Sequence, residues 1–382
     1  MIRLENLTKV FETPNGPIVA ADRINLDVPR GEICILLGPS GCGKTTALKM
    51  INRLIPHTSG KVYIDGEDTD KIDTVELRRR IGYVIQQIGL FPNMTVEENI
   101  CVVPKLLGWD MTKARKRAAE LLELVALDPA QFLKRYPKEL SGGQQQRIGV
   151  IRGLAADPPV MLMDEPFGAI DPINREIIQD EFLKMQAELN KTIMFVSHDI
   201  DEAVKMGDKI AIFRAGKLEQ YDNPDNILAH PANEFIAEFV GADRTLKRLR
   251  LVTAAEAMDP EAPVVSRHTT TADAAAIMRE REMDFAVVLD AEKRPTGYLT
   301  IETATQNGGN VAEVTAPLLT TVRENADLRT VVSEMFTHDR SWVACVDAAN
   351  TYQGVITQSN IKRVLGETYR AKANGGEAHH GR

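Results

Sequence analysis

Residues 38–46 read GPSGCGKTT and fit G-x-x-x-x-G-K-[ST] through Gly38, Gly43, Lys44 and Thr45. Glycines let a backbone curl so that successive N–H groups point inward at phosphate oxygens. A helix starting at the loop's end adds its partial positive charge. On that pattern Lys44 reaches the β- and γ-phosphates and the Thr45 hydroxyl takes one position on Mg²⁺. Pro39, Ser40, Gly41, Cys42 and Thr46 complete the cradle. Cys42 lies beside Lys44, so a thiol reagent is expected to inactivate and MgATP to protect.

A second glycine stretch, LSGGQ, places Ser141, Gly142, Gly143 and Gln144 at what reads as a helix start, another anion cradle. The run VMLMDEP ends four apolar residues on Asp164 and Glu165. Asp164 can hold Mg²⁺ from its outer shell. Glu165, one step on, points differently and can address an attacking water. His198 ends the apolar run of FVSHD, where it can hydrogen-bond a γ-phosphate and distinguish ATP from ADP. Gln86, after IGYVI, can reach Mg²⁺ or the water; Gln87 beside it is the competing assignment. Phe11 is either an adenine-stacking ring or a core aromatic.

These residues need a scaffold that brings strand ends together. Residues 1–240 alternate apolar runs with helical stretches, an α/β pattern. Glu32–Leu37 is a buried strand feeding the first glycine loop, and Val160–Met163 and Thr192–Val196 are two more. Between about residues 90 and 156 strands give way to helical composition, a helical insertion in the α/β core. Residues 251–366 contain an internal repeat. DFAVVLD and GYLT (Asp284–Asp290, Gly297–Thr300) recur as SWVACVD and GVIT (Ser341–Asp347, Gly354–Thr357). Each copy reads strand–helix–strand–strand–helix, with the copies at 251–309 and 310–366. The polar, glycine-containing stretch 367–382 reads as a frayed tail.

The 382 residues suffice for two or three domains, and 43% hydrophobic with 26% charged residues is an ordinary globular balance. The net charge of −8 and the absence of a long Lys/Arg run give no support to a nucleic-acid partner. The N-terminus MIRLENLTKVFE lacks an apolar h-region, and no run of eighteen apolar residues occurs. Any membrane role is therefore expected to come through a partner. The four cysteines, Cys34, Cys42, Cys101 and Cys345, are scattered, and read as reduced thiols rather than a disulfide or zinc framework.

The set Gly38–Thr45, Gln86, LSGGQ, LMDEP, Ala169-Ile170-Asp171 and His198, in this order, resembles the ATPase subunit of ABC transporters over residues 1–240. The resemblance implies a P-loop NTPase fold with a helical subdomain, working with ATP and Mg²⁺. It also implies a head-to-tail homodimer in which each ATP lies between the glycine loop of one copy and the LSGGQ of the other. Ser141 and Gly143 would then serve the γ-phosphate held by a second copy, with Asp171 at the dimer seam. A single ATPase domain without membrane segments is similar to importer subunits. Such subunits sit on the cytoplasmic face of the inner membrane beneath integral membrane permease subunits. They are fed by a periplasmic or lipid-anchored substrate-binding protein. In that family a groove near the glutamine loop receives a short helix of the permease. IGLFPNMTVEEN (Ile88–Asn99) occupies that position, and Leu90 and Phe91 face either a partner or local packing.

The repeat resembles a tandem pair of CBS domains, which sense ligands or ionic conditions. Together with MIRLENLTKVF, ALKMINRLI, GYVIQQIGLFP and FVSHDIDEA it is similar to importers of osmoprotectants such as glycine betaine, choline and carnitine. The alternative is the same motor serving another small solute, such as an amino acid. Adenosine-binding CBS domains carry Gly-h-h-Ser/Thr-x-x-Asp. Here the positions read Gly297…Thr300…Thr303 and Gly354…Thr357…Asn360, so both copies lack the ribose-holding Asp, which counts against a nucleotide there.

Overall fold

The computed structural model describes residues 1–86, 89–168 and 170–375. Gln87, Ile88, Ala169 and residues 376–382 lie outside the described residues. The chain divides into two units, one of Met1–Ile227 with Pro231–Gly241, the other of Leu228–His230 with Ala242–Arg382.

Among its described residues the first unit holds ten strands: β1 (Ile2–Thr13), β2 (Gly16–Val28), β3 (Ile33–Leu37), β4 (Ser59–Ile64), β5 (Glu67–Asp68), β6 (Ile81–Val84), β7 (Val160–Asp164), β8 (Thr192–Val196), β9 (Lys209–Arg214) and β10 (Lys217–Asp222). Six form one sheet in the order β10-β9-β3-β8-β7-β6. Its pairings are parallel except β9–β10. Every residue of β3, β7 and β8 is buried, so these strands read as unbroken apolar runs, as parallel strands covered on both faces must. The register sets Leu36 beside Val196, Asp164 beside Val196 and Val84 beside Met163. The carboxyl ends of β3, β6, β7 and β8 therefore come out on one edge, each followed by one of the chemistry-bearing segments.

A second sheet, β2-β1-β4-β5, is antiparallel. The sequence pattern did not separate it from the α/β alternation, because β1 buries Ile2, Leu4 and Leu7 at irregular spacing across its register shifts. The two sheets share one core through Ile2, Val28, Leu48, Val62, Leu162 and Phe213.

Between β6 and β7 the chain is helical, as the composition predicted: Val96–Leu106, Met111–Leu124, Pro129–Phe132 and Gly142–Leu154. Thr95 and Glu98 form a capping box at the first of these. The buried Asn99 pins the preceding loop: its Oδ1 accepts the Phe91 N–H at 2.7 Å and its Nδ2 donates to the carbonyls of Phe91, Met94 and Thr95.

In the second unit the repeat takes the anticipated order. The first copy runs β11 (Val264–Ser266), helix Thr271–Glu280, β12 (Phe285–Leu289), β13 (Pro295–Thr300), helix Ile301–Gln306. After the two-residue strand β14 (Ala316–Pro317), the second runs β15 (Thr321–Arg323), helix Leu328–Thr337, β16 (Trp342–Val346), β17 (Tyr352–Thr357), helix Gln358–Gly375. The sheets are β11-β12-β13-β14 and β15-β16-β17. The cores interleave across residue 309/310. Ala254 and Ala257 pack with Val331 and Ile356 of the second copy, while Val311 packs with Ala274 and Val288 of the first. Equivalent positions in the repeat, Phe285 and Trp342, stack at 4.1 Å with rings 2° from parallel. The last helix runs on to Gly375. Its residues Glu367–Asn374 (ETYRAKAN) are mostly good helix formers, which carry the helix through the polar composition.

Candidate nucleotide site

The glycine loop leaves β3 at Leu37 and enters the helix Lys44–Ile51. Gly38, Gly41 and Gly43 all take positive φ, and at two of them a Cβ would also collide with backbone. Gly38 has φ 142°, and an added Cβ would lie 2.3 Å from the Phe213 carbonyl oxygen. Gly43 has φ 105°, and a Cβ there would lie 2.1 Å from the Ala20 carbonyl oxygen on β2. The loop is also tied to the β9–β10 turn, since Gly216 N–H donates to the Cys42 carbonyl at 3.0 Å. Pro39, Ser40 and Gly41 form its exposed tip; Gly43, Thr45 and Thr46 are half-buried and Cys42 is buried.

Lys44 is 6% exposed, and its ammonium donates to the carbonyls of Gly38 at 2.6 Å and Pro39 at 2.9 Å, centred in the loop. The Thr45 hydroxyl donates to Asp164 Oδ1 at 2.9 Å, joining the first turn after the loop to the end of β7. Burial pushes the Asp164 carboxyl above the ordinary carboxylate range, against the opposing pull of the Thr45 hydrogen bond and Lys49. A hydroxyl and a buried carboxylate, both hard oxygen donors beside a phosphate cradle, are the chemistry Mg²⁺ takes. The residues present fit that ion.

Glu165 follows with φ 48°, a left-handed conformation that turns its side chain away from that of Asp164. Its Oε2 accepts from Gln86 Nε2 at 2.9 Å and lies 3.7 Å from His198 Nδ1. Three residues 33 or more positions apart in sequence thus meet at one carboxylate. Gln86 makes this contact; the competing Gln87 lies outside the described residues.

Phe11 is 37% exposed, with Lys9 Nζ 4.8 Å from its ring centre, so it is no core aromatic. It lies on the β1–β2 hairpin, whose Ala20 abuts the glycine loop. Ser141 caps the helix Gly142–Leu154 in a reciprocal box: its hydroxyl accepts the Gln144 N–H at 3.3 Å and its N–H donates to Gln144 Oε1 at 3.0 Å. Among the described residues no hydrogen bond joins Ser141–Gln144 to the glycine loop. Gly142 is exposed, with nothing within 4 Å of an added Cβ. Asp171 is exposed just before the helix Pro172–Leu189. Phe91 is 47% exposed and Leu90 half-buried. Close by in sequence, Met94, Glu97, Cys101, Lys105 and Arg115 line a groove of about 640 Å³. Residue patterns missed the support behind His198, formed by Ser197, Glu202, Gln179 and Arg175. These are common residue types in helices and loops, with no spacing that marks them.

A family model described as ABC transporter matches residues 21–168, and one described as CBS domain matches residues 254–305. An osmoprotectant import ATP-binding protein of Salmonella typhimurium is 55% identical over 97% of this chain and 98% of its own length. The chain belongs to the ATP-binding subunits of ABC transporters. Within the family, a glycine betaine/carnitine/choline transport ATP-binding protein of Bacillus subtilis is 48% identical over 96% of each chain. A dimeric bacterial ABC transporter cassette is similar in structure, with TM-score 0.53 and 38% identity over 58% of this chain and 98% of that one. A dimeric post-hydrolysis cassette bound to ADP and Pi gives TM-score 0.53 at 37% identity over the same shares. Members of the family are transport-coupled ATPases, and the sequence, fold and glycine loop here are theirs. Among the described residues no helix is long and apolar enough to cross a membrane.

Proposed function

We propose that this subunit hydrolyses ATP to power uptake of a quaternary-amine osmoprotectant such as glycine betaine, choline or carnitine. It works as a homodimer on the cytoplasmic face of the inner membrane, beneath integral membrane permease subunits that receive solute from a substrate-binding protein. The observation that carries the chemical part is the meeting of Gln86 and His198 at Glu165, one residue beyond the Thr45–Asp164 pair. The solute follows from relatives named for osmoprotectant, glycine betaine/carnitine/choline and choline transport, each matched over nearly the whole chain.

In this reading the loop N–H groups from Gly38 to Thr46 hold the phosphates and Phe11 stacks on adenine. Lys44 turns from the Gly38 and Pro39 carbonyls to the β- and γ-phosphates. Thr45, Asp164 and Gln86 would hold Mg²⁺, which would supply neutralisation of charge developing on the phosphate oxygens. Glu165 accepts a proton from the attacking water, Gln86 orients that water, and His198 donates to the γ-phosphate. Ser141 and Gly143 complete the site on the ATP of a second copy, with Asp171 at the seam. Hydrolysis then requires closure of two copies, which makes closure available for mechanical work. The groove bordered by Met94 and Arg115 suits the permease helix. Regulation by the CBS pair is part of the same reading. Thr300 and Thr357 there cap helices by accepting the N–H groups of Thr303 and Asn360 at 3.2 Å each.

The reading is tested in proteoliposomes carrying the permease with this subunit. Glycine betaine with its binding protein should stimulate ATP hydrolysis, and Lys44→Ala should abolish it. Stimulation by an amino acid in place of betaine would move the solute to the alternative class.

A further inference from the structure

The residues around His198 are joined by hydrogen bonds and one ion pair. Ser197 is 2% exposed; its N–H donates to the Leu36 carbonyl at 3.0 Å. Its hydroxyl donates to Glu202 Oε2 and accepts the Asp199 N–H at 3.1 Å. Glu202 is 7% exposed, and its Oε1 accepts from Gln179 Nε2 at 3.0 Å. Gln179 belongs to the helix Pro172–Leu189, which starts beside Asp171. On the other flank, Asp199 Oδ1 caps the helix Ile200–Met206 by accepting the Asp201 N–H at 2.8 Å. Asp199 Oδ2 lies 3.8 Å from Arg175 Nη1, and Arg175 Nη2 donates to the Ile170 carbonyl at 2.9 Å. Both neighbours of His198 are therefore tied to one helix, Ser197 through Glu202 and Gln179, Asp199 through Arg175. His198 itself keeps a side chain 61% exposed.

Packing alone does not call for a carboxyl in this position, because desolvating one costs energy that only well-made hydrogen bonds offset. Glu202 accepts two hydrogen bonds, one from Ser197 and one from Gln179. Either bond could be made by a residue of one element; both together require a group that spans them.

We propose that Glu202 is a positioning residue for hydrolysis: it locks the Ser197 hydroxyl to the helix that begins just after Asp171, so that His198 and Asp171 move as one. The inference rests on His198 facing the γ-phosphate, as proposed above. Motion at the dimer seam would then reach the γ-phosphate contact through two hydrogen bonds rather than through the sheet. A displacement near 1 Å at a reacting group costs about a hundredfold in rate.

The test uses the full chain, labelled with ¹³C-histidine and assayed for MgATP hydrolysis. The His198 resonance is assigned by its loss in His198→Ala. Glu202→Ala should lower kcat by about ten- to a hundredfold while KM for ATP stays within about twofold, and it should shift or broaden the His198 signal. Glu202→Gln, which can bridge Ser197 to a flipped Gln179 amide, should restore both the rate and the signal. If Glu202→Ala fails to fold, Ser197→Ala carries the same two readouts. A full rate in these alanine variants, a rate loss with the His198 signal unmoved, or an equal loss in Glu202→Gln would overturn the proposal. His198→Ala separates the layers. Intact hydrolysis there refutes the reading of His198 itself. Lost hydrolysis there, with Glu202→Ala and Ser197→Ala at full rate, refutes only the role of Glu202.

Discussion

Gly143→Ala separates the two anion cradles cleanly. Gly143 lies in the first turn of the helix Gly142–Leu154, and an added Cβ would meet only the tip of Ile178, at an ordinary 3.7 Å. Alanine is favoured over glycine in a helix by up to about 1 kcal/mol. The folded chain should gain that much, raising Tm by up to about 2–4 °C. ATP affinity of a single copy should not change, because the glycine loop is untouched. If Gly143 faces the γ-phosphate of a second copy, the methyl group displaces it by roughly 1 Å and hydrolysis should fall about a hundredfold. Ser141→Ala is a poorer probe, since it also removes the helix cap and costs about 1 kcal/mol of stability. Thermal unfolding, equilibrium ATP binding in excess EDTA and steady-state hydrolysis read the three quantities separately. Weakened binding by a single copy, or normal hydrolysis with a raised Tm, would refute the assignment of this cradle to a second copy.

Glu165→Gln should lower hydrolysis by about 10²–10⁴-fold, the span of general-base catalysis, and leave an ATP-bound dimer detectable by size exclusion; unchanged turnover would dismiss Glu165 as base. Asp164→Asn should abolish Mg²⁺-dependent hydrolysis yet stabilise the ligand-free fold at neutral pH. The sign follows from burial: the folded carboxyl titrates above its unfolded value, so the folded state binds the proton more tightly. Its stabilising contribution is full below the unfolded pKa and lost as pH rises through the folded one. The gain from Asp164→Asn, read by Tm, should therefore vanish in acid. Cys42 is 5% exposed, so alkylation should be slow as well as blocked by MgATP; equal rates with and without saturating MgATP would contradict its place in the cradle. A chain ending at Gly241 should still hydrolyse ATP but respond differently to salt, and an unchanged salt response would remove the CBS pair from regulation.

What the sequence made legible was what depends on local pattern. The fully buried strands β3, β7 and β8 show as unbroken apolar runs, and the segment after each carries Gly38–Thr45, Glu165 or His198. The repeat aligns Phe285 with Trp342, the two rings that stack. Non-local features stayed hidden. The sheet β2-β1-β4-β5 joins strands more than thirty residues apart through pairs such as Ile2 with Ile64, which no periodicity within β1 announces. The interleaved cores of the repeat were invisible because Ala254 and Ala257 look alike whichever copy they pack on. Glu202 and Gln179 could not be found from residue types, since a glutamate and a glutamine on helices ordinarily face water.

The proposed role of this chain is to power osmoprotectant uptake. Its most direct measurement is accumulation of labelled glycine betaine, in cells lacking other betaine uptake systems, at low and high external osmolarity. Cells with the unaltered subunit should accumulate betaine, more so at high osmolarity, and cells with Lys44→Ala should not. Equal accumulation in the two strains would refute osmoprotectant uptake by this subunit and leave an ABC ATPase that serves another solute.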